Sequence, residues 1–295
     1  MTLAGIRIAV VGGDEREQEI ARLAAAEGAE VCAFGFPWPE PGIEGVALAR
    51  SAAGAMRGAR YALFPIPGIA ADGSLFALAA AEPIVPDEAL LRELEPAAHV
   101  ILGAADDKLR AAAAVAGVTL HEYEHDEELM LLRGPAIVEG ALAQAIEHTR
   151  VTIHGSQAAV VGHGTIGSLL ARTLVLLGAR VTVVARNPVQ RAAARTAGAE
   201  AVSFDELRDV AAHSAMLFST VPSAVVGREA LAAMEQGSLV MDLAAPPGGV
   251  DLDAARELGL VAVWARGLGR RAPVTVGSSQ WRGIHTRIET IEEGR

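Results

Sequence analysis

The segment Gln157-Ala158-Ala159-Val160-Val161-Gly162-His163-Gly164-Thr165-Ile166-Gly167-Ser168 sets three glycines between an apolar run and an amphipathic stretch that stops at Gly178. In a strand–turn–helix unit each glycine has a mechanical reason. Gly162 makes the tight turn, Gly164 lets the backbone approach a pyrophosphate, and Gly167 lets helix and strand pack closely. The helix N-terminus then offers unpaired N–H groups and the positive end of a dipole. The chemistry this suits is dinucleotide binding, with Gly162, His163, Gly164, Thr165, Ile166 and Gly167 as the cradle. His163 should touch the cofactor through its backbone, leaving the imidazole near a cleft or in solvent. One strand further on, Val183-Val184-Ala185-Arg186-Asn187 places Ala185 where an NAD-binding chain carries an acid for the ribose 2′-hydroxyl, and then a guanidinium. Ala185, Arg186 and Asn187 therefore favour NADP; the alternative is an Arg186 that only decorates the surface. Thr220, Val221 and Pro222 end a later strand, at the edge where ligands collect, and should line the adenosine or nicotinamide ribose.

The start of the chain imitates this loop. Ile6 to Val11, then Gly12-Gly13-Asp14-Glu15-Arg16-Glu17, has the same strand–turn–helix outline, but Asp14 falls at the second glycine position and Glu17 at the third. A carboxylate at Asp14 would repel a pyrophosphate and both side chains would block its approach, so this loop is free to serve a substrate. His154, just before the glycine-loop domain, is a candidate for acid–base chemistry, although Gly155-Ser156 after it read as a turn with a structural role.

These residues need elements to position them. Short apolar runs alternate with alanine-rich helical stretches, the pattern of βα units with a parallel sheet. Strands are expected near Ile6–Val11, Glu30–Phe34, Tyr61–Phe64, His99–Leu102 and Val118–Tyr123, then Ala158–Val161, Arg180–Ala185, Ala215–Thr220, Leu239–Leu243 and Leu260–Trp264. A helix over Ile137–His148, after Gly134-Pro135, should bridge two halves around a cleft. The reading is an α/β protein of two Rossmann-like lobes with parallel sheets joined by a hinge helix. Residues 1–134 form a substrate-side lobe without a dinucleotide loop. Residues 135–295 hold the hinge helix, the NADP domain and a tail whose last helix returns towards the first lobe.

At 295 residues the chain has room for two such domains. A net charge of −11 argues against nucleic acid or an anionic membrane as partner, and any anionic ligand must be drawn in by local features. With one cysteine, Cys32, no intrachain disulfide or multi-cysteine zinc site can form, and no metal is expected. The acidic run Glu122–Glu128 reads as a solvated loop. No apolar stretch is long and uninterrupted enough to span a bilayer and no cleavable leader precedes the first strand, so a cytoplasmic protein is expected.

Gly12-Gly13-Asp14 with Arg16, Glu139-Gly140-Ala141 with Glu147-His148-Thr149, and Thr152-Ile153-His154-Gly155-Ser156 ahead of the glycine loop resemble the family of dipicolinate synthase A subunits. So do Val184-Ala185-Arg186, Asp242-Leu243-Ala244 with Pro247-Gly248-Gly249, and Gly267-Leu268 followed by Ala272-Pro273 and Thr275. The likeness runs in order over nearly the whole chain, with departures at Ala136-Ile137 and in the tail at Gly269-Arg270-Arg271. It implies an NADP-dependent oxidoreductase that forms dipicolinate from 4-hydroxytetrahydrodipicolinate by loss of water and hydride transfer, on a branch from lysine biosynthesis in spore-forming bacteria. It also implies a second, flavoprotein-like subunit; a homo-oligomer is open. For a dianionic substrate Arg16 is the candidate anchor, unless it pairs with Glu15 or Glu19 along its helix. Asp14 would orient Arg16, move a proton or cap the helix, and Glu139 would face the cleft or lie on an exposed helix face. Two other readings stand beside this: a regulatory subunit that binds NADP without catalysis, and a relative of the 2-hydroxy acid or adenosylhomocysteine-type enzymes.

Overall fold

The computed structural model describes residues 2–66 and 68–294. The expected domain ends at Met1 and Arg295 lie outside the described residues. The chain divides into two compact units, Met1–Arg133 with Ala272–Arg295, and Gly134–Arg271. The second of these is contiguous; the first is assembled from both ends of the chain.

The first unit contains six parallel strands: β1 (Arg7–Val11), β2 (Glu30–Phe34), β3 (Val46–Leu48), β4 (Tyr61–Leu63), β5 (His99–Leu102) and β6 (Thr119–Glu122), in the order β3-β2-β1-β4-β5-β6. The second repeats the plan with β7 (Gln157–Val161), β8 (Arg180–Val184), β9 (Glu200–Val202), β10 (Met216–Ser219), β11 (Leu239–Asp242) and β12 (Val261–Trp264), in the order β9-β8-β7-β10-β11-β12. Each is the doubly wound arrangement in which the chain reverses beside the first strand, leaving a crevice at the carboxyl ends. The expected two-lobed α/β fold is what the structure has. Five strands of each sheet match expectation; β3 and β9, three-residue edge strands, were not foreseen.

Both faces of each sheet are buried, which is why the strands read as continuous apolar runs. In β7, Ala158 and Val160 enter one core with Val183, Phe218 and Met241, while Ala159 and Val161 enter the opposite core with Leu217 and Val240. Alternation along the strand thus serves two cores.

Two long helices complete the units. Glu127–His148 begins ten residues before the expected hinge helix and carries Pro135 inside it, so Gly134-Pro135 does not break it. It runs on from the first unit into the second, where Val138, Ala141 and Ala145 join the core. Gly134 is required there, because a Cβ would meet Leu169 of the helix Thr165–Leu176 at 2.4 Å. By length and composition alone this is the one helix, among the described residues, that could cross a membrane. Pro273–Glu293 brings Trp281, Ile284 and Ile288 into the core of the first unit. The expected grouping of residues 135–295 is therefore corrected from Ala272 onward, while the return of the last helix to the first lobe is as expected.

Candidate functional site

In the second unit, Gly162 follows β7 with φ +94°, and its N–H donates to the carbonyl of Val184. A Cβ on Gly162 would meet Oγ1 of Thr220 at 2.7 Å, and one on Gly167 would meet the carbonyl of Gly162 at 2.4 Å. Strand, turn and helix are thus drawn together closely enough that only glycine fits at either place. Gly164 differs: it is exposed, and nothing lies within 4 Å of where its Cβ would be. It forms the N-cap of the helix Thr165–Leu176 with no side-chain capping bond. An uncapped helix N-terminus that faces open space is the arrangement a pyrophosphate needs.

A cavity of about 330 Å³ opens in front of this loop, lined by Gly162, His163, Gly164, Ala185, Arg186, Asn187, Gln190, Phe204, Thr220 and Val221. The structure thereby gathers eight of the twelve candidate cofactor residues. Thr165, Ile166 and Gly167 form the first helical turn behind it, and Pro222 is exposed beyond its rim. Of the two places open to the His163 imidazole, near a cleft or in solvent, the structure has the first: it is buried in the cavity wall, burial holds its pKa below the ordinary value, and its Nδ1 lacks a hydrogen-bond partner among the described residues. Gln190 and Phe204 were missed. Asn187 caps the helix Pro188–Thr196 through Oδ1, which accepts the Val189 N–H at 2.8 Å. Arg191 was also missed; its Nη1 donates to the carbonyls of Ala185 and Arg186 at 2.8 and 2.6 Å and fixes the end of β8. Asp242 performs a similar service at the end of β11, accepting N–H bonds from Ala244, Gly249 and Val250.

Two candidate catalytic residues lie elsewhere in this unit. His154 precedes β7 at the amino edge of the sheet, where Gly155 N–H donates to Gly178 and the imidazole lies on Gly178 so closely that a Cβ there would meet it at 2.4 Å. The five-residue β7, about 17 Å of chain, separates it from the glycine loop. His154 is a turn residue at the wrong end of the strand for acid–base work beside that loop. Glu139 is exposed and pairs with Arg271.

In the first unit, the Gly12 N–H donates to Phe34 as Gly162 does to Val184, and the parallel ends there. Asp14 caps the helix Glu15–Ala26, and Glu17 returns a carboxylate oxygen to the Asp14 N–H at 2.7 Å, completing a capping box. A Cβ on Gly13 would strike the Glu17 carboxylate at 2.2 Å. The space a phosphate would use is filled by the chain's own carboxylates. Arg16 binds Asp14 through Nε (2.8 Å) and Nη2 (2.9 Å), not Glu15 or Glu19; Glu19 pairs with Arg22. Asp14 is fully buried and Arg16 nearly so. Burial opposes the Arg16 charge, but the bond to Asp14 and the charges of Glu17 and Asp14 outweigh it, so its pKa is raised. The nearby phenol of Tyr123 is pushed up by its own burial and then by Glu17.

Burial also raises Glu17 to about 7, against the opposing pull of Arg16. The sign of the consequence is fixed by linkage: the folded chain holds this proton more tightly than the unfolded one. The stabilisation is complete below the ordinary carboxyl value, near 4.5, and is lost as pH rises through about 7. At 1.36 kcal/mol per unit the full loss is on the order of 3 kcal/mol. Glu17→Gln keeps an acceptor for the Asp14 N–H without the titration. Urea unfolding at pH 5 and pH 8 should show the difference flattened in the variant; an equal pH dependence in both proteins would remove Glu17 as its source.

Residues 7–124 match the family described as the N-terminal domain of the dipicolinate synthase A subunit, and residues 138–246 match D-isomer specific 2-hydroxyacid dehydrogenase, NAD binding domain. Over 276 residues the sequence is 31% identical to the dipicolinate synthase A subunit of Bacillus subtilis (strain 168), covering 93% of each chain. The fold is similar to the crystal structures of that protein from Bacillus subtilis (TM-score 0.87, 29% identity, 100% and 99% coverage) and of its counterpart from Bacillus halodurans (TM-score 0.89, 28% identity, 97% and 98%). A transhydrogenase from Sinorhizobium meliloti shares the fold at TM-score 0.75 and 17% identity, over 97% of this chain and 94% of that one.

Proposed function

The chain belongs to the family of dipicolinate synthase A subunits, and from that premise we propose that it is the NADP-dependent oxidoreductase component that forms dipicolinate from 4-hydroxytetrahydrodipicolinate. Elimination of the 4-hydroxyl as water gives a dihydropyridine dicarboxylate, and removal of a hydride and a proton gives the aromatic ring. The nicotinamide cofactor, when bound, supplies the hydride acceptor. The chain's own part is to hold the pyrophosphate on the uncapped helix at Gly164 and to orient the adenosine end at β8. Membership of this family brings a second subunit with it, which we assign as the flavoprotein-like partner.

The observation that carries the cofactor choice is the wall of the 330 Å³ cavity: no Asp or Glu among the described residues lines it, and Arg186 stands exposed just past the end of β8. A ribose 2′-hydroxyl finds no carboxylate there, whereas a 2′-phosphate finds a guanidinium. For an exposed charge-assisted contact about 1–2 kcal/mol is expected, near tenfold in affinity and weaker at high salt. The test follows nicotinamide reduction at 340 nm with freshly made 4-hydroxytetrahydrodipicolinate, NADP⁺ or NAD⁺, and the chain with and without its partner. Turnover should prefer NADP⁺ about tenfold, and Arg186→Ala should erase the preference. No reduction with the partner present would refute the oxidoreductase assignment, and equal use of NAD⁺ by the wild type would refute the role of Arg186.

A further inference from the structure

Four sheltered arginines of the first unit invite comparison. Arg16 is paired with Asp14, Arg60 with Glu292 and Arg287 with Asp126. Arg133, half-buried on the helix Glu127–His148, has no carboxylate within ion-pair distance among the described residues. A guanidinium carries five N–H donors. Those of Arg133 make two long contacts, Nε to Met130 Sδ at 3.4 Å and Nη2 to the Glu124 carbonyl at 3.4 Å. Taking a cation partly out of water is unfavourable, and the Glu124 charge, beyond ion-pair distance, compensates it only in part, so an arginine so placed can gain from a bound anion.

Its position favours one kind of anion. Glu124 follows β6 at the carboxyl edge of the first sheet, its N–H donating to Gly103, and the Gly12-Gly13 turn with Arg16 follows β1 at the same edge. Ligands of such sheets collect at that edge. There the Nε–Nη2 fork of Arg16 is occupied by Asp14, and the Glu17 carboxylate is held by the Asp14 N–H. Arg16 alone therefore lacks the free fork that carboxylate capture requires. Burial lowers the Arg133 pKa first; the charge of Glu124 and then Tyr123 offset this only in part, and the charge of Arg16 lowers it again, a repulsion that a bound anion would relieve.

We propose that Arg133 is the carboxylate-binding arginine of the first unit, its weakly held guanidinium exchanging two long contacts for one carboxylate of a small dicarboxylate. The choice of dicarboxylate rests on the dipicolinate reading above; the anion site does not. Arg16, locked by Asp14, sets the field around that site.

Calorimetry with pyridine-2,6-dicarboxylate, pyridine-2-carboxylate and sulfate, on wild type, Arg133→Gln and Arg133→Lys, separates the two. Arg133→Gln should weaken the dicarboxylate ten- to a hundredfold, the loss expected for one charge-assisted pair, with Arg133→Lys intermediate because it keeps the charge without the fork. NADP⁺ affinity, read on the same samples, should be unchanged in both variants and reports that they are folded. Arg133-dependent sulfate binding by a wild type that ignores pyridine-2,6-dicarboxylate supports the anion site and counts against the dipicolinate reading. Dicarboxylate affinity equal in wild type and both variants overturns the assignment of Arg133 and leaves that reading standing.

Discussion

Gly164→Asp should abolish dinucleotide binding in a protein that is at least as stable as the wild type. Asp14 of the first unit already shows what the substitution does, because it occupies the matching place, caps its helix and fills the anion position. Gly164 has φ −80° and ψ −163°, extended backbone that aspartate adopts freely, with nothing within 4 Å of the new Cβ. The carboxylate would take the first-turn N–H groups and oppose the pyrophosphate charge. Losing two or more charge-assisted hydrogen bonds, at about 1.5–3 kcal/mol each, removes two to four orders of magnitude of affinity. A new N-cap, a favourable dipole contact and one glycine fewer should add roughly 1 kcal/mol of stability. Calorimetry with NADP⁺ beside a melting curve would check both halves; undiminished affinity in a normally melting variant would show that the dinucleotide binds elsewhere.

Arg16→Ala is expected to lower stability by about 3–5 kcal/mol, because it takes the bidentate guanidinium from a buried carboxylate. Asp14 is fully buried, and the guanidinium forms two of its bonds at 2.8 and 2.9 Å. The backbone N–H of residue 16 still caps Asp14 at 3.1 Å, so the helix start survives while the carboxylate loses its guanidinium. Asp14→Asn retains a capping oxygen without the charge. The double variant should therefore be more stable than the sum of the single changes predicts, with a coupling of about 2 kcal/mol or more. Urea denaturation of the four proteins closes the cycle. Additive losses would mean that the pair contributes no coupling, and that Arg16 packs without sensing Asp14.

What was legible in the sequence followed the strength of the local signal. The Gly162–Gly167 loop could be read because turn, close approach and packing each demand glycine, and the structure shows the contacts that demand it at Gly162 and Gly167. Asp14 and Glu17 could be read as obstacles by overlay on the same loop. Three residues, Glu200-Ala201-Val202, are too few for a period to emerge, so β9 was invisible, and with it the placement of Phe204 in the cavity wall. Gly134-Pro135 read as a break because both residues weaken an isolated helix. Packing overrides that local weakness: the helix Thr165–Leu176 presses on Gly134, and the longer helix runs through. Arg133, which falls before the expected helix start at Ile137, is held on that longer helix. His154 was misplaced for a different reason. Sequence proximity to the glycine loop is not spatial proximity when a whole strand intervenes.

The first unit is built from the two extremes of the polypeptide, with the contiguous second unit threaded between them. During synthesis, residues 134–271 can bury both faces of their sheet as soon as they emerge, needing nothing upstream of Gly134 for their strand order. The earlier-made residues 2–133 must wait. Ile20, Val31 and Tyr61 have no Trp281, Ile284 or Ile288 to pack against until the last helix leaves the ribosome. At about 5–20 residues per second that interval is on the order of ten seconds, during which the oldest part of the chain presents an apolar face. The second-made unit thus has the opportunity to fold first, and the nascent amino-terminal sheet is the segment exposed to chaperones and to aggregation.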